Sequence, residues 1–174
     1  IGKRGWGLFM GELDMEKLEW KPVTGKLPPI PTYPKGIFVY CSGVRKFITY
    51  GSYRASGGLK NIWAFSPDNN EWKELEAPAP PPVRGKQGMC WDSNFNVLVV
   101  HGGYSPGKLT GKGLADTWVY DFVLKTWIEV TCPETPPLNL SAAGLWMEYD
   151  PLNRACIGTH HSGKVWTLRL IPGK

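Results

Sequence analysis

No stretch of this chain is apolar for long enough to cross a membrane as a helix, so membrane insertion is not expected. Cysteine is scarce: Cys41, Cys90, Cys132 and Cys156 stand at no metal-ligand spacing, which argues against a structural zinc site. An even count permits two disulfides without arguing for them, so the compartment stays open, whether cytoplasmic or secreted. The formal charge of +5 and pI near 9.0 are moderately basic, but lysine and arginine are scattered. Without a basic cluster, nucleic acid is not an expected partner. No serine, histidine and carboxylate pattern marks a nucleophile, and no aspartate pair suggests acid/base chemistry. No catalytic residue, metal or cofactor is therefore assigned. The chain starts at Ile1 with no signal-peptide pattern, from which we expect a processed protein or a segment of a longer one.

What the sequence does have is nine tryptophans, 21 glycines and 16 prolines, a mixture suited to many short strands joined by rigid turns. These residues recur at fixed spacing. Gly51 and Gly102 are 51 apart, Trp63 and Trp118 are 55 apart, and so are Trp72 and Trp127. Within each unit Asp14 and Trp20, Ser66 and Trp72, and Asp121 and Trp127 are six apart, and Trp166 continues the series. A period near 50 with this skeleton fits one small sheet per repeat.

Trp63-Ala64-Phe65 and Trp118-Val119-Tyr120 alternate as a strand with one aromatic face would. The segments after them have hairpin composition, Ser66-Pro67-Asp68-Asn69-Asn70 most strongly. Glycines before the next long connection allow backbone angles or close approaches that a side chain would block. Proline-rich stretches, such as 77–82, recur between units. They exclude helix and fit excursions from one sheet to the next. A small sheet buries its faces only by stacking on neighbours, and radial stacking gives a propeller.

The unit from 97 to 127 carries Gly102, Gly103, Trp118, Tyr120, Asp121 and Trp127, and in this it resembles a kelch repeat. The preceding unit is more degenerate, with Gly51-Ser52 and Phe65-Ser66, and the last has His160-His161 in place of glycines. The resemblance implies an all-β fold of kelch-type propeller blades, each of four antiparallel strands. Counting strands gives two, four, four and three, so the ring is incomplete. We expect the end of one blade in 1–27, blades in 35–78 and 86–132, and a partial blade in 142–171. Trp20, Trp63, Trp72, Trp118, Trp127 and Trp166, with Gly51, Gly102 and Gly103, are expected to form the structural core of the blades.

The expected function is that of a non-catalytic, protein-binding or scaffold segment, completed by further polypeptide, a partner subunit or a second copy. The alternative is part of a propeller enzyme whose site lies in the central channel. Tyr53, Arg54, Tyr104, Lys108 and Lys112, together with Tyr50, are candidates to line one mouth and meet a protein partner. His101 and His160 hold nearly equivalent positions, as a shared ligand site or as hydrogen-bonded rim residues. Arg84 follows a proline-rich excursion at a place where the resemblance implies a structural arginine.

Overall fold

The computed structural model describes residues 11–22, 38–51, 61–105, 113–131, 145–160 and 162–171. These residues form four antiparallel sheets. The first is β1 (Gly11–Asp14) with β2 (Glu19–Pro22). The second runs in the order β3 (Phe38–Cys41), β4 (Lys46–Thr49), β5 (Ile62–Ser66), β6 (Glu71–Leu75). The third repeats that order with β7 (Gly88–Asp92), β8 (Val97–Gly103), β9 (Leu114–Asp121) and β10 (Thr126–Val130). The fourth has β11 (Leu145–Asp150), β12 (Ala155–His160) and β13 (Val165–Leu168). The sheets have the two, four, four and three strands expected, and no pairing closes them into a ring among the described residues.

One turn device builds the hairpins. Each of six connections is four residues long, and its last residue is left-handed: Leu18, Arg45, Asn70, Asn96, Lys125 and Arg154 all have φ between 51° and 56°. In four of them an aspartate ends the first strand and accepts two backbone N–H bonds from the turn. Asp121 takes those of Val123 and Leu124 at 2.7 and 2.9 Å, and Asp14, Asp92 and Asp150 do the same. Such side-chain turns compete well with water for these amides. The device explains the six-residue spacing of aspartate and tryptophan. Four turn residues and one strand residue intervene, which sets Trp127 opposite Tyr120 and Trp20 opposite Leu13.

Alternation along the strands then sorts the two faces of each sheet. In the third sheet Met89, Trp91, Leu98, Val100, Tyr120 and Trp127 point one way. They meet Val39, Cys41, Ile48, Ile62 and Ala64 of the second sheet. Cys90, Val97, Val99 and Val119 point the other way, against Met147 and Cys156 of the fourth. Because both faces are covered, every residue of β7 and β8 is buried. The first strand β7 touches the first strands β3 and β11 of its neighbours, as stacked propeller blades do. Trp20 departs from expectation. It is 63% exposed, and among the described residues no other sheet packs on its face of the two-stranded sheet.

Candidate interaction rim

The ends of β4 and β8 face the segment 81–87 that leads into the third sheet. Gly51 has φ +76°, and a Cβ there would run into the Arg84 carbonyl. Gly103 has φ +96°, and its Cβ would stand 2.8 Å from the Gly85 carbonyl. Both positions therefore need glycine twice over, for backbone angle and for space. The contact they allow is made. Gly85 and Tyr104 exchange N–H···O bonds of 2.9 Å in both directions. The Gln87 amide donates to the Tyr50 carbonyl at 2.5 Å, and the Tyr50 hydroxyl donates to Pro81 O at 2.7 Å.

Arg84 is the hub of this segment. Its side chain is wholly buried and donates through Nη1 and Nη2 to the two carboxylate oxygens of Asp116, at 2.8 and 2.7 Å. It also donates to the carbonyls of Gly102 and Pro82, both at 3.1 Å. The Trp118 indole N–H donates to the same Asp116 carboxylate at 2.7 Å. Burial alone would raise the Asp116 pKa, but the Arg84 and Trp118 hydrogen bonds and the Arg84 charge outweigh it and hold the carboxyl below its usual value. A charge this fully engaged ties the connection to the sheet and is not presented to a ligand.

His101 lies two residues before the end of β8 and His160 ends β12, and both are buried, at 1% and 4% exposure. Each Nδ1 sits 2.8 Å from a hydroxyl of its own, Thr117 Oγ1 for His101 and Ser162 Oγ for His160. Burial pushes the His101 pKa down to about 4. The Asp116 charge opposes that and the Arg84 charge adds to it, so the ring is neutral near pH 7. Among the described residues no group of three or more His, Cys, Asp or Glu side chains could hold a metal ion. Both histidines are buried, and each is hydrogen-bonded through Nδ1.

The repeated sheets, the paired glycines and the aspartate-capped hairpins agree with a family match. Residues 9–150 match the model of the KLHDC2/KLHL20/DRC7 Kelch-repeats domain. The chain belongs to the Kelch-repeat family. This kelch chain is also similar to adagio-like protein 2 of Oryza sativa subsp. japonica, with 26% identity over 136 residues. That alignment takes in 76% of the kelch chain but only 20% of the rice protein, so the chain spans about a fifth of that relative. Kelch membership supports a general role in protein interaction. No helix among the described residues is long and apolar enough to cross a membrane.

Of the side chains expected on the kelch rim, Tyr53, Arg54, Lys108 and Lys112 lie outside the described residues. Tyr104 is half-buried beside Gly85, with the Lys86 ammonium 5.6 Å from its ring centre. Tyr50 requires a correction. It does not line a mouth but is fully buried between the second and third sheets, its ring 4.9 Å from that of Trp127. Burial raises its hydroxyl pKa to about 12 despite the Arg84 charge and hydrogen bond, which pull the other way. Asp116 was missed in the sequence. Its signal was slight, an isolated aspartate two residues before a repeat tryptophan.

Proposed function

We propose that this chain is a protein-binding scaffold segment whose stack of sheets is extended by further sheets of the same construction. These come from more polypeptide or from a second copy, and the rim loops carrying Tyr53, Arg54, Tyr104, Lys108 and Lys112 contact the partner. The observation that carries the reading is a stacking rule. In the buried joint between the second and third sheets, the apolar leading face of one sheet (Trp91, Leu98, Val100, Tyr120, Trp127) is covered by the apolar trailing side of the other (Cys41, Ile48, Tyr50, Ile62, Ala64).

Two further sheet faces carry exposed apolar side chains. The leading face of the second sheet is an aromatic ladder of Phe38, Tyr40, Phe47, Phe65 and Trp72, with successive ring centres 4.9 to 6.4 Å apart. Phe38, Tyr40 and Phe47 are 39%, 47% and 38% exposed. On the trailing face of the fourth sheet, Trp146 and Val165 are 63% and 65% exposed. A contiguous apolar face of this kind is a site of association. Either an adjoining blade or a second copy would cover such faces.

Light scattering on the native particle, with denaturing mass spectrometry of its chains, tests the reading. We expect the folded unit to contain more than one 19.4-kDa chain's worth of polypeptide. A stable, soluble monomer of this chain alone would sink it.

A further inference from the structure

Between the third and fourth sheets, Cys90 Sγ and Cys156 Sγ lie 2.7 Å apart, although 66 residues separate them in sequence. Both thiols are free and buried, at 2% and 0% exposure. They come from different sheets whose ladders hold them in place. Cys90 is the middle residue of β7, opposite Val99. Cys156 lies in β12 between Tyr149 and Leu168. Small residues on the same faces let the sheets close around the pair. A Cβ on Gly88 would stand 2.5 Å from the Met147 sulfur, and one on Gly158 would overlap the Trp166 indole. Val97, Val99, Val119 and Met147 complete the packing of this core.

We propose that Cys90 and Cys156 form a disulfide that staples the third sheet to the fourth, with a small disulfide such as oxidised glutathione as the oxidant. In the first step one cysteine, as its thiolate, attacks the glutathione disulfide and releases one glutathione thiolate. In the second, the other cysteine attacks the protein-bound sulfur and releases the second glutathione. The Cys90–Cys156 S–S bond forms, two S–H bonds break, and the two electrons and two protons leave as two molecules of glutathione thiol. The hydrogen bond to Cys156, then burial, then the charges of Asp92 and Glu148 push the Cys90 pKa up. Exchange is accordingly slow in the closed structure and runs during folding or when the joint opens.

The test is to refold the reduced full chain in oxidised and reduced glutathione, quench by alkylation in acid, and map peptides without reduction. We expect a linked peptide pair joining Cys90 to Cys156 with the loss of two hydrogens. Alkylation of both residues, or their linkage to Cys41 or Cys132 instead, overturns the proposal. The oxidised form should melt roughly 10 °C above the reduced one, as closing a loop of this length predicts. In a Cys90→Ala/Cys156→Ala variant that redox-dependent shift should vanish, and an undiminished shift there would overturn the assignment. Cys132→Ser, remote from the pair in sequence, should keep both the linked peptide and the shift.

Discussion

Arg84 and Asp116 stand 32 residues apart and meet through two parallel hydrogen bonds, at 2.8 and 2.7 Å, where the chain passes from the second sheet to the third. The fork of the guanidinium matches the carboxylate, and a lysine offers only a point charge. Arg84→Lys should therefore not rescue the joint, and Arg84→Met should cost roughly 2–4 kcal/mol in urea unfolding. The lower part of that range is the expectation, because the Asp116 side chain is 22% exposed. A double-mutant cycle with Asp116→Asn should show coupling above ~1 kcal/mol. Strict additivity would show that the pair is incidental.

Stability should fall in mild acid. His101 has a folded pKa of about 4, below its unfolded value of 6.5, so the unfolded chain binds the extra proton between those values. Stability is then intact above pH 6.5 and is lost as pH falls towards 4, by on the order of 3 kcal/mol. Asp116, whose carboxyl is held below the ordinary value near 3.8, extends the loss to lower pH. His101→Gln, which can still bond to Thr117, should flatten the slope between pH 6.5 and 4 in denaturant titrations. An unchanged slope would place the proton elsewhere.

Two glycines with similar angles should respond differently to alanine. Gly51 and Gly163 have φ +76° and +80°, but a Cβ meets the Arg84 backbone at Gly51 and open space at Gly163. Gly163→Ala should cost about 1 kcal/mol from the backbone angle alone. Gly51→Ala should cost at least about 2 kcal/mol more, since backbone must move. Thermal melts of the two variants decide it, and equal costs would mean that the 84–87 segment yields easily.

The turn device predicts a gain as well as a loss. Arg45 ends its turn at φ 53°, and Arg45→Gly should stabilise by up to ~1 kcal/mol, less the loss of its exposed contact with Asp68. Asp121→Ala removes the acceptor of two turn amides and should cost about 1 kcal/mol. Opposite signs in equilibrium unfolding are the expected result.

The aromatic ladder of the second sheet should govern association. Tyr40→Ser with Phe47→Ser removes two rings that are 4.9 Å apart from a partly exposed face. The pair should reduce the mass of the native particle, or weaken its assembly at least tenfold, while far-ultraviolet circular dichroism stays β-type. Unchanged assembly would move the joint off this face.

Much of the architecture was legible in the chain itself. The hairpins at Asp14, Ser66 and Asp121, the strands carrying Trp63, Trp72, Trp118 and Trp127, and the positive backbone angles of the glycines at 51, 102 and 103 were marked by a few neighbouring residues. Asx turns, left-handed angles and period-two alternation are local physics, so they survive in a bare sequence. The hairpins at Asp92 and Asp150 use the same turn, but Leu98 and Cys156 stand where the repeat leads one to look for tryptophan.

Tertiary structure decided what each face meets. In β7 and β8 every residue is buried, so alternation separates two apolar faces without saying which sheet covers which. Only stacking takes Tyr50 into the core while Trp20 stays exposed, pairs Arg84 with Asp116, and brings Cys90 to Cys156. Those contacts join residues up to 66 positions apart, and they exist because separate sheets pack face to face. Local composition encodes the sheets, and the packing between them determines the joints.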